Sequence, residues 1–203
     1  MQEQELFITQ GIAGLEGRYA DSQGTTGAVI SHPHPLMGGD MTNPVVQIIA
    51  EALFAGGLST LRFNFRGVGK SDGRYDEGRG EQEDVVAAIS FLQVRGKRRV
   101  ILGGYSFGAW VNAAVIAKRE LPPGLLVSPP FDLFSFDVQA LRGKIGLIVC
   151  GDQDCYCPPE RLRTIAGEIG CGLEFIPGAD HFFQGQEETL AASIKAWTVN
   201  LPS

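Results

Sequence analysis

The sequence predicts an α/β protein, with helices covering both faces of a largely parallel sheet. Short apolar runs bounded by Gly, Pro, Asn and Asp alternate with stretches whose apolar residues recur at helical spacing. The central runs, at residues 99–102 and 145–149, are almost continuously apolar, as expected of strands buried on both faces. The residues able to do chemistry stand just after these runs, where the carboxyl edge of a parallel sheet gathers its loops.

Taken in order, residues 6–9 and 15–19 read as two short strands of a hairpin, with Gly11 and Gly14 between them. Residues 21–27 form a turn, and residues 28–31 a strand leading into His32-Pro33-His34-Pro35-Leu36-Met37-Gly38-Gly39. Asn43-Pro44 supplies a cap and a first-position proline. Val45, Ile48, Ile49, Ala52 and Leu53 follow at helical spacing until Gly56-Gly57. Residues 60–65 are the next strand, followed by the loop 66–73. Glu81, Glu83 and Asp84 set acid in the first turn of a helix, where its dipole favours negative charge, and Val85, Ala88, Ile89 and Leu92 form its apolar face. After the strand at 99–102, the apolar helix 109–118 suits burial against the sheet. Strands at 125–127 and 145–149 follow, then a helix from Pro158 with Leu162, Ile165, Ala166 and Ile169 inward. Residues 173–176 are the last strand and residues 187–199 the closing helix. Nothing divides the chain, so one domain over residues 1–203 is expected.

The net charge of −6 argues against nucleic acid as a partner, since that needs a basic footprint. No run reaches the length of a membrane span, and residues 1–5 lack the basic start and apolar core of a signal peptide. Four cysteines do not make a disulfide framework in 203 residues. A reduced, cytoplasmic location follows as the expectation. The oligomeric state is not legible.

Gly104-Tyr105-Ser106-Phe107-Gly108 lies between a buried strand and an apolar helix. A G-x-S-x-G turn in that setting lifts a strained serine above the sheet as a nucleophile, whereas the five residues alone occur often by chance. A serine hydroxyl needs a base. Of three histidines, His181 follows the last strand, so the order serine, acid, histidine is available. The acid, which orients and stabilises the imidazole, comes from Asp132, Asp137, Asp152, Asp154 or Asp180, and periodicity does not separate Asp152 from Asp154. Backbone amides should stabilise an oxyanion. Phe107 offers one at a helix start; Pro33 and Pro35 have none, so His34 or Leu36 gives the other, with His34 preferred.

Three other signals carry less. His32-Pro33-His34 has the look of a metal pair but lacks a third ligand at useful spacing, so no metal and no cofactor is expected. Gly69-Lys70-Ser71 lacks the first glycine of a phosphate loop, Asn64 standing in its place. Cys155 and Cys157 flank Tyr156 without a partner pair and read as inert thiols.

From residue 28 to the last helix the chain resembles the α/β-hydrolase superfamily, and most of all its small, lidless, dienelactone hydrolase-like bacterial members with a His-Pro-His-Pro loop. The likeness rests on residues 32–39, Asn64-Phe65-Arg66-Gly67-Val68-Gly69-Lys70-Ser71, residues 104–108, Gly151-Asp152-Gln153-Asp154 and Gly178-Ala179-Asp180-His181. It implies a three-layer α/β/α sandwich on a mostly parallel sheet of eight strands, the second antiparallel, with Ser106 as nucleophile, Asp154 as acid, His181 as base, and the amides of His34 and Phe107 as oxyanion hole. Ser106 departs from the cysteine of true dienelactone hydrolases, and Asn64 stands where many relatives have aspartate. The short segment 128–144 leaves no room for a lid, and its Phe131, Leu133, Phe134 and Phe136 are either an acyl wall or core. His32, Leu36, Tyr105, Phe131 and Phe134 are candidates for substrate contact. The reading that follows is a serine hydrolase acting on small-molecule carboxylic esters or thioesters. A peptidase or acyltransferase on the same residues, and a binding module that kept only the fold, are the alternatives.

Overall fold

The computed structural model describes residues 1–9 and 14–201. Eight strands form one sheet: β1 (Gln4–Ile8), β2 (Leu15–Ala20), β3 (Thr26–Ser31), β4 (Ser59–Phe63), β5 (Arg99–Tyr105), β6 (Gly124–Val127), β7 (Ile145–Gly151) and β8 (Gly172–Ile176). Their spatial order is β1-β2-β4-β3-β5-β6-β7-β8. Only β2 runs against its neighbours β1 and β4; every other pairing is parallel. The β1–β2 hairpin is antiparallel as expected, while Gly11 lies outside the described residues.

Five helices cover the sheet. α1 (Pro44–Ala55) and α5 (Glu187–Thr198) lie on one face; α2 (Arg79–Val94), α3 (Phe107–Ala117) and α4 (Pro159–Ile169) lie on the other. The period-two alternation of the strands feeds two separate cores. In β3, Val29 joins the α2–α3–α4 core, while Ala28 and Ile30 join the α1–α5 core. In β7, Ile148 and Cys150 face the first, and Leu147 and Val149 the second. Residues 128–144, between β6 and β7, contain turns but no helix or strand, so the sheet has no lid over it.

The structure moves several predicted boundaries for physical reasons. β5 runs on to Tyr105, past the expected end at residue 102, because Gly103 and Gly104 keep pairing with Ile30 and Ser31 of β3 and with Leu125 and Leu126 of β6. A Cβ at Gly103 would meet Ile49, Leu53 and Leu125 at ordinary contact distances of 3.4, 3.6 and 3.9 Å, so the packing of α1 on the sheet does not itself demand glycine there. α3 begins at Phe107, directly after the serine, and not at residue 109. α2 begins at Arg79, where Glu81 reaches back to accept from the Gly78 amide at 2.8 Å.

The loop after β3 is fastened by residues at the end of β4 and just past it. Met41 donates its N–H to Asn64 Oδ1 at 2.8 Å and accepts at its carbonyl from Arg62 Nη1 at 2.6 Å. Arg62 is itself held by Glu3, Nε to Oε1 at 2.7 Å. Asn64 donates onward to Glu16 Oε2 at 2.9 Å. Beyond Asn64, Arg66 turns back to α2 and pairs with the buried Asp84 through Nη2 at 2.8 Å and Nε at 3.1 Å. The Asn64–Ser71 segment is therefore a brace for the neighbouring loop. Burial works to raise the Glu16 carboxyl, but the Lys70 amide and Asn64 outweigh it and hold Glu16 below the usual carboxylate range.

This packing can be probed by substitution at two kinds of position. Asn64→Asp sets two carboxylates against each other, and stability at neutral pH should fall by about 1–3 kcal/mol. The repelled pair takes up a proton more readily folded than unfolded, so the deficit against the wild type should shrink as pH falls to about 5. Urea midpoints at the two pH values check this, and an unchanged deficit contradicts it. Gly167 sits inside α4, and a Cβ there would have nothing within 4 Å, whereas a Cβ at Gly108 would meet the carbonyl oxygens of Ser31 and His32. Gly167→Ala should stabilise by about 0.5–1 kcal/mol. Gly108→Ala should destabilise by at least about 2 kcal/mol, read by the same urea titration.

Candidate active site

The site is assembled at the carboxyl edge of the sheet from the ends of β3, β5, β7 and β8. Ser106 occupies the single residue between β5 and α3, at φ 54° and ψ −118°. A β-strand entering a helix this abruptly needs small neighbours. A Cβ at Gly104 would stand 2.5 Å from Gly108 O, and one at Gly108 would strike Ser31 O. These contacts explain both glycines of the G-x-S-x-G pattern. Below the turn, Ser31 Oγ donates to Asn112 Oδ1 at 2.8 Å, and Asn112 Nδ2 donates to Gly103 O at 2.9 Å, so the buried polar groups are partnered. Phe107 is fully buried, which contributes roughly 1.5–3 kcal/mol towards holding the helix start in place.

Ser106 Oγ lies 3.1 Å from His181 Nε2, and His181 Nδ1 lies 2.7 Å from Asp154 Oδ2. The three are in line for the serine hydroxyl to donate to Nε2 while Nδ1–H donates to the carboxylate. Asp154 also accepts from the Tyr156 amide at 2.9 Å through Oδ1 and from the Cys150 thiol at 3.5 Å. Burial works to raise the Asp154 carboxyl, but the His181 imidazole, the Ser128 hydroxyl and the Tyr156 amide prevail and hold it below its ordinary value. The acid therefore stays ionised beneath the imidazole.

Asp152, inseparable from Asp154 by periodicity, has a different task. Its Oδ1 accepts from the Gly178 amide at 2.8 Å, and the Gln153 amide donates to Ala179 O at 2.9 Å. These bonds tie the turn after β7 to the turn after β8. Tyr105 OH completes the support by donating to His181 O at 2.8 Å. Asp180 points away and accepts from the Phe182 amide at 2.9 Å.

The two amides expected near the serine are both free to serve a ligand. Among the described residues, neither the His34 nor the Phe107 N–H has a hydrogen-bond partner, and both residues line the cleft that holds Ser106. The Leu36 amide is not available, because it donates to His34 Nδ1 at 3.2 Å. His34 Nε2–H then faces Tyr75 OH at 3.2 Å, which makes His34 neutral, and burial lowers its pKa further.

The cleft measures about 270 Å³. Tyr105 and Phe134, two of the candidates for substrate contact, line it; three others do not. His32 is fully buried: its Nε2 accepts from the Phe65 amide at 3.0 Å and its Nδ1 donates to Pro33 O at 2.7 Å. Burial holds its pKa down to about 4, so it is a neutral brace between two loops. With the nitrogens of His32 and His34 engaged internally, the pair has no lone pair to turn outward together. Leu36 stands 72% exposed beyond the cleft because the 3-10 turn Pro35–Met37 rotates it out, and Met37 lines the cleft instead. Phe131 is core, its ring packed 4.0 Å from that of Phe136, while Leu133 and Phe134 line the cleft. Tyr156 and Phe182 also line the cleft, and sequence reasoning does not single them out. Their only signal is position, two residues after Asp154 and one after His181.

Comparison with known proteins agrees with this architecture. A family model described as the Alpha/beta hydrolase family matches residues 34–147. An uncharacterized protein of Rickettsia prowazekii (strain Madrid E) is 35% identical over 205 residues, covering 93% of this chain and 86% of its own. An alpha-beta serine hydrolase homologue from Coxiella burnetii superimposes with a TM-score of 0.89 at 35% identity, covering 97% of both chains. An α/β serine hydrolase without lid from Xanthomonas campestris superimposes with a TM-score of 0.86 at 28% identity, over 100% of this chain and 97% of that one. With a sheet, helix layers and strand-edge cleft of this form and these relatives, the chain belongs to the α/β hydrolase family.

Proposed function

We propose that the protein hydrolyses small, uncharged carboxylic esters or thioesters through an acyl-enzyme on Ser106. The observation that carries this reading is the chain of contacts from Ser106 Oγ through His181 to Asp154, 3.1 and 2.7 Å, beside two unpartnered amides. In the first step, Ser106 Oγ attacks the carbonyl carbon while His181 Nε2 takes its proton. Asp154 stabilises the imidazolium through Nδ1–H. The Phe107 and His34 amides receive the oxyanion, and a donor of this kind is worth about 10²–10³ in rate. Collapse expels the alcohol or thiol, which takes the proton from His181. Water then attacks the acyl carbon while His181 Nε2 takes its proton; the bond to Ser106 Oγ breaks, Oγ recovers that proton from His181, and the acid leaves.

Two features of the cleft support the substrate class. Its lining contains no Asp, Glu, Lys or Arg, which favours an uncharged acyl group. Its 270 Å³ is below the roughly 300–1,000 Å³ of sites that enclose a drug-sized ligand, which favours a small one. The mouth is rimmed by exposed Met37, Leu133 and Phe182, so longer apolar groups would extend over a surface and not into a tunnel. The same openness admits water to the acyl-enzyme, which favours hydrolysis over transfer.

The test is chemical labelling followed by kinetics. A fluorophosphonate should modify Ser106, located by peptide mass spectrometry, and His181→Ala should abolish the labelling. Asp154→Asn should lower kcat for an activated acetyl or butyryl ester by about 10⁴-fold, whereas Asp152→Asn should leave most of the rate. Folded protein that resists labelling, or a larger loss from Asp152→Asn than from Asp154→Asn, contradicts the reading.

A further inference from the structure

A cluster of ligand-bearing side chains gathers around the acid, outside the lining of the cleft. Cys150 is near the end of β7, and Asp154 and Cys157 follow on the same turn. All three are buried, and one ligand atom from each lies within 4.8 Å of the others. Neither thiol lines the cleft. Cys157 Sγ–H donates to Pro129 O at 3.3 Å, and Cys150 Sγ–H donates to Asp154 Oδ2 at 3.5 Å. Ser128 Oγ, at the end of the neighbouring strand, is 3.7 Å from Cys150 Sγ.

We propose that Cys150, Cys157 and Asp154 form a binding site for a soft divalent cation, zinc or cadmium, whose occupancy switches off the Ser106 centre. Two thiolates and a carboxylate are a donor set that such ions select. Zinc–sulfur bonds of about 2.3 Å set tetrahedral ligands about 3.8 Å apart. The cluster therefore needs to contract by at most about 1 Å, which side-chain rotation on one turn supplies. The ion replaces the two S–H protons, which leave to solvent, and no group is oxidised or reduced. Ser128 Oγ, beside Cys150, or a water bound with the ion would supply the fourth ligand. The separation of Cys150, Asp154 and Cys157 by four and three residues keeps the ring small, so little chain has to be ordered.

The consequence for the site follows from shared use of one carboxylate. Asp154 Oδ2 accepts from His181 Nδ1 at 2.7 Å. A cation on that carboxylate withdraws the negative charge that stabilises the imidazolium. Ester hydrolysis in the loaded protein should fall at least tenfold. This inhibition arm rests on the proposed hydrolase activity; the binding arm does not.

Cadmium chloride titrated into the full-length wild type, Cys157→Ala, Cys157→Ser and Cys155→Ser tests both arms. Binding is read by the ultraviolet sulfur-to-cadmium charge-transfer band and by equilibrium dialysis. Activity is read on an activated ester. One cadmium per chain should bind the wild type and Cys155→Ser, and inhibition should rise with the band. Both Cys157 variants should keep their basal activity and lose at least tenfold in cadmium affinity and sensitivity. A band and an inhibition curve unchanged in both Cys157 variants, or no cadmium retained by the wild type, overturns the site. Binding at the site with full activity retained overturns the switch. If no ester is hydrolysed at all, the charge-transfer band and dialysis still decide the site.

Discussion

A serine forced to positive φ between a strand and a helix is the constraint from which the rest of this structure follows. A non-glycine residue in that region costs about 1–3 kcal/mol and persists only where its surroundings fix it. Here the surroundings are a buried strand paired on both sides and a helix whose first residue, Phe107, is fully enclosed. The close crossing of strand and helix dictates Gly104 and Gly108. It also leaves the first helical amide without a partner, and that amide sits beside the hydroxyl the turn has raised. Strain, packing and chemistry thus meet in five consecutive residues.

The charges around the serine are sorted by burial and hydrogen bonding. His32 and His34 both use their ring nitrogens to fasten loops and are held neutral. Asp154 is kept ionised by the imidazole and the hydrogen bonds directed at it. Charged side chains on the neighbouring strands and loops are tied into braces: Arg62 with Glu3, Arg66 with Asp84, and Glu16 with Asn64. The result is an apolar, uncharged cleft with one anion beneath its base. Two loops that carry the acid and the base are tied to each other through Asp152 and Gln153, so the distance between Asp154 and His181 does not depend on either loop alone.

Much of this was legible in the sequence, and the reasons differ by element. The sheet was readable because its strands alternate between two cores and its helices carry one-sided apolar faces, as in β3, where Val29 and Ile30 serve opposite sides. Ser106 was readable because its motif sits in the one setting that gives it a mechanism. Asp154 was separable from Asp152 only by resemblance, since both lie past the strand end, where turn geometry rather than period two sets direction. His32 read as a residue of an open loop, yet it directly continues buried β3 and folds inward. Leu36 and Met37 differ by a single step of a 3-10 turn, and Phe131 and Phe134 by a few residues of irregular chain. In such segments no periodicity exists to read, and only coordinates assign the facing.

The place where a reacting oxygen comes to rest decides whether Ser106 and the two free amides work as one centre. A crystal structure of the protein treated with a small alkyl phosphonate measures this. Phosphorus should be bonded to Ser106 Oγ, with the phosphonyl oxygen about 2.7–3.1 Å from the amide nitrogens of both Phe107 and His34. An adduct whose oxygen points to solvent, away from both amides, or phosphorus carried by another side chain, would contradict it.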